Sequence, residues 1–535
     1  MDKSALTSSD GIWVPDNYTT IQAAIYAAKL GDTIFVKNQT YYENLIINQT
    51  IRLIGLDFPT IDGHLNPSFW GLPTISVRAE NVTISGFIIQ HGFSEKKWKE
   101  MDWGIDLWYG SCNISNNIVR FNERGIDCSA NNVIENNLIT CNYGGITCDG
   151  SWNIIKGNNI TNNGCAVFFP RRSNVAINNT ISNCDFGIVL WCNDTYLRGN
   201  NMTGNFRGFD FDGGSSLRQY IQDIDSSNLI DGKPMYYWIN EHDKNVPSDA
   251  GYVALVNCTN ITVSGLDLRK NGHGLMMAFT HNSTVANCNI SNNDFGLFMW
   301  ASENNTIIHN NFVNNTYQVG NPYSSWPPAP ELPRNIWDNG YPSGGNFWSP
   351  FNVTDLYSGP YQNVTGSDGI NDTAYFIDSN NQDNYPLAGP INSFYAGTWN
   401  TTSYSIDIIS NSTISNFQFN EAEKTITFNV STLNSTSGFC RVTIPKQLLS
   451  CNTADEWQVF ADTASLSYAI IETIDNTYTY FTYSNSTTTI QIKATHAIPE
   501  LRPTVLPILL TLATAALLLE KLNKKSKAKV KTTSH

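Results

Sequence analysis

Five aspartates recur at matching places in short, similar segments: Asp106 in WGIDLWYG, Asp127 in RGIDCSAN, Asp149 in GGITCDGS, and Asp210 with Asp212 in RGFDFDGG. Paired carboxylates do acid–base work, one giving a proton to a leaving oxygen while the other acts as base or nucleophile. If the segments stack as strands of one sheet, Asp106 and Asp127 sit ~4.8 Å apart at the backbone. Asp210 and Asp212, two residues apart on one face, sit ~6.5–7 Å apart. Both lie near the separations glycoside hydrolases use, roughly 5–5.5 Å for retention and 6.5–9.5 Å for inversion. Asp106, Asp127, Asp210 and Asp212 are therefore the candidate catalytic residues. Trp108, Trp191 and Trp300 fall at matching outward positions, where an indole is costly to expose and suits the flat face of a sugar. With Asp149, and with Arg171 and Arg172 to meet an anionic sugar, they form the candidate substrate-binding set. The competing reading is a solvated acidic strip, open or covered by residues 213–250 or the C-terminal region.

The segments that carry these residues repeat. Their second positions are Gly104, Gly125, Gly145, Ala166, Gly187 and Gly208, and after a gap Gly274 and Gly296, at steps of 20–22 residues. Such a period with short alternating segments marks a solenoid. Ile105, Ile126, Ile146, Val167, Ile188, Phe209, Leu275 and Leu297 form one inward column, and Leu107, Cys128, Cys148, Phe169, Leu190, Phe211, Met277 and Met299 a second. Period two predicts strands and a parallel β-helix. Met276, Phe298 and Ala278 fall in the outward columns. Two asparagine columns support the stack. One is Asn122, Asn142, Asn163, Cys184, Asn205, Asn271 and Asn293; the other is Asn117, Asn137, Asn159, Asn201, Asn289 and Asn311. Stacked amides satisfy the polar groups of sharp corners. Cys128 and Cys148 read as core thiols. Thr19 to Gln22 reads as a capping box opening a helix to about Lys29, with Ile21, Ala24, Ile25 and Ala28 on one face to lid the core.

The 535 residues carry 32 Lys and Arg against 46 Asp and Glu, a net charge of -14, with only 15% charged. An acidic chain of this kind excludes a nucleic-acid partner, which needs phosphate-neutralising cations. Hydrophobic residues at 41% exclude a mostly disordered chain. Asparagine supplies much of the polarity, often in glycosylation sequons such as Asn17, Asn81, Asn193, Asn282, Asn371 and Asn485. Pro503 to Leu519 is uncharged and Lys521, Lys524, Lys525, Lys527, Lys529 and Lys531 follow. This predicts a transmembrane helix with a cytoplasmic tail and the rest at the cell surface. Without that tail the count is 26 basic against 46 acidic residues. The first eleven residues show no apolar signal region, read as a trimmed start. Cys440 and Cys451 stand apart and could close a loop.

Residues 11–63, opening GIWVPDNYTTIQAAIYAAKLGDTIFV, resemble the start of pectin-lyase-like right-handed β-helix proteins. Residues 228–300, with DGKPMYYWIN and DAGYVALVNCTNITVSGLDL, and 337–387, with WDNGYPSGGNFWSPF, resemble NosD-like and carbohydrate-binding, sugar-hydrolase β-helix repeat proteins. The superfamily hosts lyases, hydrolases, epimerases, a copper-site accessory protein and surface adhesins, so the resemblance implies fold more sharply than function. The C-terminal IPELRP, apolar run and lysines resemble the anchor of archaeal surface proteins.

The expected class is all-β: a right-handed parallel β-helix with an N-terminal cap helix, a C-terminal β-sandwich and one transmembrane helix. The expected boundaries are a tail at 1–10, the β-helix with closing loops at 11–390, the sandwich at 391–497, a linker at 498–502, the membrane helix at 503–520 and a basic tail at 521–535. The leading function is binding, with or without processing, of a polysaccharide; an enzyme of this kind is a polysaccharide lyase or a glycoside hydrolase. The alternatives are a structural or adhesive surface glycoprotein and a NosD-like copper accessory. Copper calls for soft ligands, of which His273, Met276 and His281 are the nearest set. Calcium is the other candidate cofactor, through Asp368, Asp372, Asp378 and Asp383 in a loop without EF-hand spacing. Gly272-His273-Gly274 resembles a polygalacturonase motif whose companions are missing, so His273 reads as a turn residue. A pectate-lyase reading finds acids but no placed base.

Overall fold

The computed structural model describes residues 11–63, 73–91, 103–322, 330–399, 401–432 and 437–497. Two compact units emerge, Met1–Thr354 with Asn371–Leu387, and Asp355–Ile370 with Ala388–His535.

The first unit is a parallel β-helix. Each coil of its N-terminal array is three short strands and three turns, as in Trp103–Leu107, Asn113–Ser115 and Ile118–Arg120, before the next coil opens at Arg124. Stacked coils build three parallel sheets, of which one has eight strands and another ten. The third runs to fourteen strands and continues into the second array. The alternation explains the burial: Ile105, Ile126, Ile146, Val167, Ile188 and Phe209 are all sealed inside, as are Leu107, Cys128 and Cys148.

Asparagines close the corners. The Asn137 Oδ1 accepts from the Asn117 backbone N at 2.9 Å and from its Nδ2 at 3.2 Å, and the Asn117 amide also donates to the Ile84 carbonyl at 3.0 Å. The ladder continues through Asn158, Asn179, Asn200 and Asn228. A second runs Asn122, Asn142, Asn163, Cys184, Asn205. The first corrects the expected column, in which Asn159 and Asn201 are exposed strand residues one place beyond the ladder. The ladder keeps a fixed place eight residues before each Gly-equivalent position, from Asn117 and Gly125 to Asn200 and Gly208, whereas the expected column follows the second Asn of each Asn-Asn pair and so leaves the ladder after Asn137. A third ladder, Asn132–Asn153–Asn174, was not anticipated.

One α-helix, Ile21–Ala27, lids the N-terminal end. Its N-cap is Thr20, whose hydroxyl accepts from the Ala23 N at 3.2 Å, in place of the expected Thr19. The Glu43 carboxylate takes the Ile21 and Gln22 N–H groups, which frees the Gln22 side chain to bind Ile46. Ile21, Ala24, Ile25 and Ala28 are the buried face.

At Asp231-Gly232 the chain reverses in a two-residue hairpin, both residues at positive φ (48° and 79°), pairing Ile230 with Lys233 antiparallel. Asp-Gly is the sequence that such a turn prefers. The second array then stacks Lys233–Ile239, Tyr252–Val256, His273–Ala278, Phe295–Trp300 and Tyr317–Gly320 in the long sheet. Here the expected outward columns are corrected. Tyr252, Ala254, Val256, Met276, Ala278 and Phe298 are buried with the core of the first array, while Val253, Leu255, Leu275, Met277, Leu297 and Met299 pack in a second core. The far end is closed by the aspartate-rich segment. Asn310 hands its ladder to Asn346, and the Asp383 carboxylate accepts from the Asn346 N at 2.7 Å, the Trp348 Nε1 at 2.9 Å and the Tyr385 N at 3.1 Å.

The second unit is a sandwich of two five-stranded antiparallel sheets around Ile406, Phe428, Val442, Phe481 and Ile490. Residues 355–370 belong with it. Cys440 is buried against Ser410 and Tyr483, and both it and Cys451 are free thiols, so the expected loop closure is not formed.

No helix among the described residues is long and apolar enough to cross a membrane, which corrects the transmembrane element of the expected fold and the surface anchoring drawn from it. The segment 503–520 and the tail 521–535 lie outside the described residues. Of the sequon asparagines, Asn17, Asn81, Asn282 and Asn485 are exposed, whereas Asn371 is fully buried and so cannot present its amide for glycosylation.

Candidate functional site

The outward face of the eight-stranded sheet carries one row of direct register partners: Ser76, Asp106, Asp127, Thr147, Phe168, Val189 and Asp210. Asp106 and Asp127 are thus neighbours, as the spacing requires. Asp210 lies four rungs beyond Asp127, roughly 19 Å at ~4.8 Å per rung. The four candidate acids therefore form two separate pairs.

Asp127 is almost wholly covered, and the Arg124 Nη1 donates to its Oδ2 at 2.9 Å. Burial, and then the Asp149 carboxylate, push its pKa from 3.8 up to about 6 against the pull of Arg124. Asp106 accepts from the Trp108 indole N–H, and burial raises its pKa too. Asp149 is exposed on the next coil. The result is one carboxyl poised to hold a proton, flanked by two others of different exposure, the arrangement in which acid and base roles separate.

The turn that follows these strands is the aromatic edge. Trp108 is 57% exposed and Trp191 59%. The Arg78 guanidinium stands 5.4 Å over the Trp108 ring, and Phe168 meets Trp191 edge-on at 4.8 Å, so both indoles are braced while keeping surface open. Trp152, on the same turn, completes the set of exposed tryptophans among the described residues. It was missed because it stands three places beyond Asp149, off the strand columns. Arg171 and Arg172 are exposed on this turn as well. Along the opposite edge stand Phe121, Tyr143 and Phe206, all exposed. There a cavity of about 250 Å³ is lined by Arg124, Tyr143, Thr147, Cys165, Phe168 and Phe186.

The second pair is different. Asp212 is exposed, while Asp210 accepts from the Phe211 N at 2.9 Å and is raised to about 6 by burial and then by Asp294. Arg207 pairs with Asp294 in the same neighbourhood. Gly272 leaves the room: a Cβ there would come within 1.9 Å of the Asp210 Oδ1. His273 opens a strand and is enclosed by Phe295 and Phe298, which corrects its reading as a turn residue. Trp300 belongs to the long sheet, with its Nε1 on the Ser215 carbonyl at 3.1 Å, and does not join Trp108 and Trp191.

The family model described as periplasmic copper-binding protein (NosD) matches residues 31–238 and 240–353, more than half of the chain. The chain belongs to the NosD family. The NosD match covers the whole acidic row and most of both arrays. No curated protein matches the chain. Among solved structures, the Dettilon tailspike protein shares 13% identity over 90% of this chain and 93% of that one, with a TM-score of 0.33. An alginate lyase from Paenibacillus sp. str. FPU-7 shares 13% over 56% and 94%, TM-score 0.29. The A-module of the Azotobacter vinelandii mannuronan C-5 epimerase AlgE4 shares 15% over 62% and 92%, TM-score 0.27. The NosD relationship therefore fixes the fold of this face and leaves its chemistry to be argued from the residues.

Proposed function

We propose that the outward face of the eight-stranded sheet binds a polysaccharide and hydrolyses it with Asp127 as general acid. The observation that carries this is the Asp127 carboxyl, raised to about 6 and set beside Asp106 and Asp149, on a face whose following turn exposes Trp108 one coil before it and Trp191 three coils after it. A sugar stacked on the indoles places a glycosidic oxygen over the row. Asp127 gives its proton to that oxygen, the bond to the anomeric carbon breaks, and Asp106 or Asp149 stabilises the oxocarbenium-like centre or activates the water that completes hydrolysis. Because Asp127 must be protonated, turnover falls as pH rises through about 6.

The test is release of reducing ends from neutral and anionic polysaccharides by the full chain. Asp127→Asn should lower the rate at least ~100-fold, and Trp191→Ala should weaken binding with the fold intact. Binding with no product, unchanged in Asp127→Asn, would leave an adhesin and remove the enzyme. Binding unchanged in Trp191→Ala would remove the site.

The copper that names the NosD family finds no matching cluster of donors among the described residues. Among the described residues no three His, Cys, Asp or Glu side chains gather to hold a metal. The Cys128 and Cys148 sulfurs lie 3.2 Å apart in the sealed core, and the Cys128 thiol is driven well above its usual range, chiefly by its bond to Cys148 and by burial. Burial holds His273 neutral, its pKa down to about 3. The acids considered for calcium also serve structure: Asp383 holds the end of a ladder and Asp378 accepts from the Leu332 N at 2.8 Å.

A further inference from the structure

On the outward side of the ten-stranded sheet a cleft of about 530 Å³ is lined by Trp152, Arg172, Ser173, Val175, Asp194 and Tyr196, with the Asn174 ladder amide at its base. Its strands belong to a different sheet from the acidic row, and although Trp152 and Arg172 share a turn with Trp108 and Trp191, it is this cleft that they line. The register places its parts. Ile154, Val175 and Tyr196 are successive partners, and the turn residues Trp152, Ser173 and Asp194 stack through Trp152 N to Ser173 O and Ser173 N to Asp194 O, each at 3.1 Å. Trp152 and Tyr196 therefore flank the intervening coil two rungs apart along the stack (~9.6 Å) and two residues apart along the chain (~6.5 Å), roughly 12 Å in all, about two ring-stacking distances. Stacked rings keep centroids roughly 4.5–7 Å apart, so the gap admits one further ring in contact with both.

Two features show a built site. Trp152 stands at φ +67°, in a turn position where the other coils place Ser111, Asn131, Ser173 and Asp194. Small polar residues adopt that conformation cheaply and a bulky one does not. Here the bulky residue is also 64% exposed, so the strain gains no core packing. Tyr196, in turn, is held in place. The Arg198 guanidinium stacks 4.2 Å over its ring and is itself tied to Asp223 and Asp225. One face of Tyr196 is covered by a fixed cation, and the ring is oriented before any ligand arrives.

We infer that this cleft is a second carbohydrate site, a clamp that takes one pyranose of a neutral polysaccharide between Trp152 and Tyr196. Val175 supplies an apolar floor for the sugar's C–H face. Ser173, and one side chain of each sign at the rim, Arg172 and Asp194, supply hydrogen bonds to hydroxyls. The matched charges favour a neutral ring over a uronate. The clamp binds and does not cleave, since its single carboxylate has no partner acid.

The test is affinity electrophoresis of the full chain through gels containing laminarin, yeast mannan or hydroxyethyl cellulose, with alginate as the anionic comparison. Trp152→Asn installs the residue that the preceding coil carries at Asn131, so it keeps or improves folding. It should weaken retention by a neutral polysaccharide at least ~10-fold, the cost of one stacked ring. Tyr196→Ala should do the same and Tyr196→Phe should retain binding. Retention unchanged in Trp152→Asn and Tyr196→Ala, or no retardation of the native chain by any neutral polysaccharide, overturns the clamp. So does a fall in oligomeric state of Trp152→Asn in sedimentation, which would make the patch a self-interface. Loss in Trp191→Ala alone would leave the acidic row standing without the clamp; loss in Trp152→Asn alone would do the reverse.

Discussion

The two arrays of the β-helix are written in different patterns and buried differently. In the first, strands such as Trp103–Leu107 and Arg207–Phe211 alternate, WGIDL and RGFDF, with aspartate on the outer face. In the second, YVALV is apolar throughout and HGLMMA is so after its buried His273, and every residue of both is buried. A strand with both faces covered reads as a continuous apolar run. The sheet of the second array is such a strand set, shared by two cores. The central strands of this shared sheet thus leave no face to solvent, whereas the eight-stranded sheet of the first array keeps one.

That contrast can be broken most forcefully at Met276. Met276→Asp puts a carboxylate between two cores and should cost more than ~4 kcal/mol, abolishing a folded product in urea melts. The half-buried outward Phe168, changed to Asp, should cost less than ~1.5 kcal/mol. Comparable losses would mean that the outer face of the first array is covered too. Next comes the ladder. Asn158→Ala strands the buried Asn137 N–H and should cost ~1–3 kcal/mol, while Asn159→Ala beside it should stay within ~0.5 kcal/mol.

The pH dependence is a finer measure. Folding raises Asp127 from 3.8 to about 6, so the native state holds the proton more tightly. Stability tied to this group is present below pH ~4 and is lost as pH rises to about 6, by up to roughly 3 kcal/mol for two units. Asp127→Asn should flatten that part of the curve between pH 4 and 7. Equal slopes for both proteins would show Asp127 to be solvated. Least affected is the aromatic edge: Trp108→Ala should change stability by no more than ~1 kcal/mol, the size of its contacts with Arg78 and Asp106, and its effect should appear in sugar binding.

Much of this architecture is legible from residue types. The inward columns from Ile105 to Phe209 follow from period two, and the neighbouring of Asp106 and Asp127 from the repeat length. What escaped has physical reasons. The Asn159 slip arises because the Asn158-Asn159 pair offers two amides, and here the first of them, not the second as in Asn136-Asn137, joins the ladder. Met276 and Phe298 were placed outside because a column taken from one array was carried into another whose outer face meets a second core. The pairing of Asp106 with Asp127 and of Asp210 with Asp212 could be counted from the repeat, but the covering of Asp210 beside an exposed Asp212 could not. The raised proton affinity of Asp127 depends on burial and on Asp149 across the coil, neither of which is encoded locally.

The ladders also have a direction. Along each, the side-chain oxygen of one coil accepts from the coil before it, so the hydrogen bonds run head to tail like the links of a polymer. An amide both accepts and donates and can pass the pattern on. The ladder through Asn310 and Asn346 ends on Asp383, whose carboxylate receives three donors. Burial pushes the Asp383 pKa up to about 7, yet all three of these bonds are received by its oxygens, and with no side-chain amide to pass the pattern on the series ends there. The β-helix thus carries a termination signal written in one functional-group change, amide to acid, and inserting or deleting whole coils upstream would change its length without disturbing the stop.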